Sequence, residues 1–152
     1  HDRKFFNELK TSDKEFSPFC PYIEYIAALR RADIAILPLL PTRFNRMKSD
    51  LKFLECAAHG VATLASPTVY EQSIADGETG LLYRDPEEFA GKLVLLIEDT
   101  DFRRRISANA FHWVARQRLL RDHYRQRYEW YLSMFRRLPE LNESMKSRLK
   151  GR

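Results

Sequence analysis

Lys48, Lys52, Glu55 and His59 follow one another at spacings of four, three and four residues within FNRMKSDLKFLECAAHGVATLAS, residues 44–66. On a helix with about 100° between successive residues, Lys52, Glu55 and His59 fall within about 60° of one another. Lys48 joins them if the helix begins early. Two ammonium groups near a helix start suit a diphosphate, and the free backbone N–H groups and dipole there also favour an anion. A carboxylate one turn deeper can accept hydrogen bonds from a vicinal diol such as a ribose. The plainer alternative is a solvated edge with a Lys52–Glu55 ion pair, contributing a few tenths of a kcal/mol.

The neighbouring elements decide where such an edge would lie. Pro21 starts a helix through Tyr22, Ile26 and Leu29 to Ala32. Asp33 opens DIAILPLLP, an apolar run without alternation, as expected of a strand buried on both faces of a parallel sheet. Thr42 to Lys48 reads as a polar loop, and Ser49 or Asp50 can cap the next helix. Leu51, Leu54 and Ala58, widened by Phe53 and Ala57, form its predicted buried face. Gly60 ends it, and VATLA is the next buried strand. The helix start is thereby placed at the carboxyl edge of a parallel sheet, where α/β proteins bind ligands.

Further along, Ser66-Pro67-Thr68 is a loop before a short helical VYEQSIAD. DGETG is a turn in which Gly77 and Gly80 supply the geometry, and Leu81–Tyr83 is a last strand. From Pro86 onward the pattern is helical, ending in a long segment from Arg121 to Arg137, with residues 139–152 polar and frayed. Glu15–Phe19 is a candidate strand interrupted by Pro18. Helices alternating with strands, then helices alone, describe an α/β, Rossmann-like parallel sheet with a helical C-terminus. No Gly-rich first turn is present, so the first βα unit of such a fold is expected to be missing. The sequence starts at His1 rather than Met, and is read as part of a longer chain.

The 152 residues are 44% hydrophobic and 31% charged, which supports one folded core rather than disorder. Cys20 and Cys56 have no metal-site spacing and read as reduced, packed thiols. His59 and His123 read as structural, and no nucleophile or metal set is recognisable, leaving catalytic residues unknown. The net charge of +5 is uneven: residues 1–102 carry −5 and residues 103–152 carry +10. Arg103, Arg104, Arg105, Arg116, Arg118, Arg121, Arg125 and Arg127 are offered either to an anionic partner such as a membrane surface or to a solvated helix face. Tyr124, Tyr128, Tyr131 and Phe135 form a helical stripe read as packing.

The segment KSDLKFLECAAHGVATLASPTVYEQSIADGETGLLYRDPEEFAGKL resembles the C-terminal nucleotide-sugar-binding domain of GT-B glycosyltransferases of the large retaining group. The match lies in a Glu on a short helix, A-x-G, an apolar strand, a loop, an acidic residue, then DG-x-TG-LL, and runs from about Tyr22 to Arg118. It implies the C-terminal half of a GT-B fold, with a donor-binding unit over 1–120, a crossover helix over 121–138 and a polar tail over 139–152. It implies transfer of a hexose from a nucleoside diphosphate sugar to a saccharide or lipid-linked acceptor, in polysaccharide biosynthesis, with no metal or other cofactor. By the same resemblance Glu55 binds the donor ribose. Lys48, Ser49, Asp50, Leu51 and Lys52 bind the diphosphate. Phe19, Tyr22, Asn45, Ser66 and Thr68 are candidates for base or sugar contacts.

The pattern departs at Met47, where the family often carries the first Glu of an E-x7-E pair that contacts the sugar; Asn45, Lys48 or Ser49 are the candidates in its place. The acceptor domain would lie upstream of His1, and the chain alone is expected to be inactive. The location expected is cytoplasmic, peripheral to the membrane if the basic third binds lipid, with no specific nucleic acid partner. The alternatives are a GT-B-like sugar-nucleotide epimerase and a basic module that binds nucleic acid or anionic membrane.

Overall fold

The computed structural model describes residues 2–150. Three strands, β1 (Ile34–Leu37), β2 (Ala62–Ala65) and β3 (Leu81–Leu82), form a parallel sheet in the order β1-β2-β3. Ile34 pairs with Ala62 and Leu37 with Ala65, while Leu64 and Ala65 pair with Leu81 and Leu82. The central strand β2 is buried at every position, so its sequence has no alternation. β1 lies at the edge and leaves Ile36 exposed. It stops at Pro38, which has no N–H to continue the ladder.

Helices cover both faces. On one face Ala62, Leu64 and Leu81 pack against Leu96 of α6 (Pro86–Glu98) and Ile106 of α7 (Thr100–Gln117). On the other, Ala65 and Leu82 meet Phe53 and Ala57 of α4 (Leu51–Ala58), Tyr70 of α5 (Pro67–Tyr70), and Ala110 and Val114 further along α7. The first helix is α1 (Asp2–Glu8), and Ile26 and Leu29 of the next, α2 (Tyr22–Leu29), close over Cys56 and Val61. Burial pushes the Cys56 thiol up to about 11, so it stays protonated as a packed, inert group. Caps hold the helix starts where the sequence offers them: the Asp85 carboxylate accepts from the N–H groups of Glu87 and Glu88, and that of Asp99 from Phe102.

Several expectations change. Residues 15–19 form no strand; Pro18 cannot donate to a ladder. The loop at 42–48 contains a single helical turn, α3 (Arg43–Arg46), because the Thr42 hydroxyl accepts from the Asn45 N–H. The helix after β2 starts at Pro67 and gives way to turns after Tyr70. The terminal stretch expected to fray forms a helix, α9 (Leu138–Lys150), which follows α8 (Leu120–Arg136) after Arg137 and is almost wholly exposed. An Arg137–Glu140 pair at 3.1 Å and a Lys146–Glu143 pair at 2.7 Å support its exposed surface. On α8 no residue is buried, and Tyr124, Tyr128, Tyr131 and Phe135 are all exposed. The stripe read as packing is therefore unpartnered among the described residues. No helix of the described residues is long and apolar enough to cross a membrane.

The DGETG turn delivers β3. Asp76 Oδ1 accepts from the Leu82 N–H at 2.8 Å, Thr79 Oγ1 accepts from the Ala75 N–H at 2.9 Å, and Lys92 pairs with Asp76 at 3.0 Å. Gly77 has φ 82°, as a turn glycine should. Gly80 does not have positive φ; it is small because a Cβ there would lie 2.6 Å from Thr63 Oγ1 and 3.3 Å from the Thr63 carbonyl oxygen. Gly80→Ala should therefore cost about 1–3 kcal/mol by forcing β2 and the turn apart. Gly91→Ala, in mid-α6 with open space around it, should instead gain about 0.5–1 kcal/mol. Urea denaturation of the two variants checks the opposite signs.

Candidate functional site

Helix α4 sets the site. Its buried residues are Phe53, Cys56 and Ala57. Leu51 and Ala58, expected inside, are exposed, and Leu54 is half-buried. The helix is rotated relative to the sequence-based wheel because α2 and α7 both press on it, so the inward arc centres between Phe53 and Cys56. The polar edge falls as expected. Lys52 Nζ donates to Glu55 Oε2 at 3.0 Å, and His59 Nδ1 lies 2.8 Å from the Glu55 carbonyl oxygen.

Glu55 is not a free side chain at a pocket rim. Its side chain is only 11% exposed, and the same Oε2 accepts a hydrogen bond from Tyr25 Oη at 2.9 Å. Lys52 Nζ also sits 4.2 Å from the centroid of the Tyr25 ring, so the three side chains close a triangle. Burial alone would lower the Lys52 pKa, but the hydrogen bonds with Glu55 and Tyr25 outweigh it and raise the value. Lys52 therefore remains a cation.

Glu55, Lys52, Tyr22 and Phe19 line one cavity of about 480 Å³, together with Ser17, Pro18, Cys20 and Tyr25. Phe19 is fully exposed at its mouth and Tyr22 is largely exposed. Two aromatic faces, a cation and a carboxylate thus converge on a single concave surface, a combination that suits a planar base, an anion and a diol.

The diphosphate candidates lie at the adjoining end of α4. Among the described residues the backbone N–H groups of Ser49, Asp50, Leu51 and Lys52 have no hydrogen-bond partner. Lys48 Nζ rests 5.2 Å from the centroid of the Phe44 ring. Asp50 is the N-cap by position, yet its side chain caps nothing. Its carboxylate instead takes two hydrogen bonds from the Arg118 guanidinium, at 2.7 and 2.9 Å, and one from Ser73 Oγ. Arg118 thereby neutralises the one negative charge beside the open N–H groups.

The remaining candidates stand apart. Ser66 Oγ accepts from the Leu39 N–H at 2.8 Å and donates to the Leu39 carbonyl at 3.0 Å; Thr68 Oγ1 donates to the same carbonyl at 2.8 Å. These two hydroxyls pin the segment after β1, and line a second cavity of about 310 Å³ with Pro38, Leu40, Tyr83 and Arg84. Asn45 Nδ2 donates to the Leu40 carbonyl at 3.0 Å and braces the same segment. Of the eight arginines offered to an anionic surface, two are engaged with other parts of the fold. Arg118 holds Asp50, and Arg103 donates to the Leu96 carbonyl at 2.6 Å and lies 3.8 Å from Asp33.

Tyr25, Arg118 and Ser73 carry no local signal for these roles. Their partners lie 30, 68 and 23 residues away, beyond any helical or strand periodicity. Burial alone would raise the Asp50 pKa, but the hydrogen bonds from Arg118 and Ser73 win and lower it below its ordinary 3.8. A carboxyl held below its unfolded value contributes stability that is complete above about pH 4 and drains away as pH falls through the folded value. Asp50→Asn should thus lose about 1–3 kcal/mol at pH 7, and the gap to the parent should close below about pH 4. Denaturant midpoints across pH check this; a gap that does not change with pH would contradict it.

Comparison with known proteins bears on the family and the fold. A model of the family described as glycosyl transferase-like matches residues 4–133. Among solved structures, the chain is similar to the C-terminal domain of a glycosyl transferase group 1 family protein, LpcC, from Francisella tularensis. The two are 25% identical with a TM-score of 0.58, and the match covers 67% of this chain and 51% of that one. The chain thus spans about half the length of that structure. No curated protein matches it. With the parallel α/β sheet, its helical C-terminus and a family match over most of its length, the chain belongs to the glycosyl transferase-like family.

Proposed function

We propose that this chain is the donor-binding unit of a glycosyltransferase that takes a nucleoside diphosphate sugar. The observation that carries the reading is the convergence of Phe19, Tyr22, Lys52 and Glu55 on one cavity beside the open turn at 49–52. In this reading the base lies against Phe19 and Tyr22, the ribose hydroxyls donate to Glu55, and the diphosphate accepts from the N–H groups of the turn. Lys48 and Lys52 supply positive charge there. The leaving diphosphate would be stabilised electrostatically by groups already in place, a scheme in which lysines and N–H dipoles supply the counter-charge without a metal ion.

Transfer also needs an acceptor held in the same cleft. We assign that wall to a second domain outside these 152 residues, and the exposed α8 stripe to the contact with it. The chain alone should bind nucleotide without turnover.

Glu55→Ala should weaken uridine or guanosine diphosphate binding by roughly 2–4 kcal/mol, the worth of hydrogen bonds to a charged acceptor. It should lower stability by only about 1–2 kcal/mol, because Tyr25 and Lys52 lose their shared partner. Calorimetry with both nucleotides, beside urea denaturation, separates the two effects. Unchanged affinity for each nucleotide that binds the parent would remove Glu55 from the site.

A further inference from the structure

We infer that Tyr25 is a positioning residue, holding one oxygen of the Glu55 carboxylate so that the other is left for the sugar hydroxyls and the site selects ribonucleotides. The inference rests on the donor-site reading. Its basis is that both protein donors reach the same oxygen: Tyr25 Oη at 2.9 Å and Lys52 Nζ at 3.0 Å from Oε2. A carboxylate has about four acceptor positions, two on each oxygen. With the two on Oε2 taken, Oε1 keeps both of its own, and among the described residues it has no partner. Two acceptor positions match the two hydroxyls of a vicinal diol.

Tyr25 is suited to the task because its ring and its hydroxyl do different work. The ring packs against the cluster of Ile26, Leu29, Cys56 and Val61, so α2 sets its position. The hydroxyl reaches the cavity that Glu55 lines. Burial raises the phenol pKa above 10.0, and the group therefore stays a donor at neutral pH. Lys52 by itself would hold Glu55 less firmly, since its flexible stem is about half exposed. Without Tyr25 the carboxylate can swing toward Lys52 with either oxygen, and Oε1 is no longer reserved.

Tyr25→Phe keeps the ring and deletes only the hydroxyl. Calorimetry should compare it with the parent, using uridine and guanosine diphosphates and their 2′,3′-dideoxy counterparts. The expected result is about a tenfold loss for the ribonucleotide, with dideoxynucleotide affinity unchanged. In the Glu55→Ala background the same substitution should add nothing. Unchanged ribonucleotide affinity in Tyr25→Phe would overturn the inference, and so would an equal loss for both ligands, which marks a general disturbance of the pocket. A parent chain that binds none of the four nucleotides would overturn the donor reading itself, and this inference with it.

Discussion

Helix α4 must satisfy two demands at once, and its rotation about its own axis is the quantity that satisfies both. Phe53, Cys56 and Ala57 are almost completely buried, against the sheet, α7 and α2. A helix held on that much of its circumference cannot turn without exposing Phe53 or opening a cavity, at a cost of about 3–5 kcal/mol for a lost aromatic. Once the apolar arc is fixed, the polar edge is fixed with it. Lys52 and Glu55 then have to face α2, where Tyr25 waits. The chemistry of the cavity is thus a by-product of packing on the opposite side of the same helix.

The N-terminal end of α4 is governed by charge. Its N–H groups remain open partly because the N-cap side chain has another engagement: Asp50 points to Arg118 at the end of α7 and to Ser73 beyond α5. This arrangement ties three segments together and neutralises a negative charge beside the open N–H groups of the proposed diphosphate turn. It also accounts for part of the C-terminal basicity. Arg118 and Arg103 hold groups within the fold, the first from an exposed position, so the excess of arginine after residue 102 is in part structural.

VATLA was legible because a centrally buried strand has to be apolar throughout, and Gly60 and Pro38 mark where helix and ladder must stop; the apolar run at 34–37 looked equally buried, but β1 is an edge strand that leaves Ile36 exposed. The polar edge of α4 was legible from helical spacing alone. Its buried face was less so: Leu51 looks like a core residue by type, but it lies on the arc of α4 turned away from Phe53 and is exposed. Phe19 and Tyr22 were offered to the base from their place after a candidate strand, which does not form; the loop reaches the Glu55 cavity without it. The Tyr25–Glu55 and Asp50–Arg118 contacts depend on how separate elements dock, which no local pattern encodes. Ser66 and Thr68 follow a strand as ligand-binding residues often do, yet their hydroxyls are engaged in holding the Leu39 backbone. Gly80 was assigned to turn geometry, whereas close approach to Thr63 is what excludes a side chain there.

The central claim is that one ribose and one diphosphate occupy the edge and the N-terminal turn of α4. A crystal structure of the chain with uridine or guanosine diphosphate tests it most directly. The account predicts ribose hydroxyls within hydrogen-bond distance of Glu55 Oε1, with the diphosphate against the N–H groups of residues 49–52. A nucleotide seated instead between Ser66, Thr68 and Arg84, with Glu55 still holding only Tyr25 and Lys52, would contradict it.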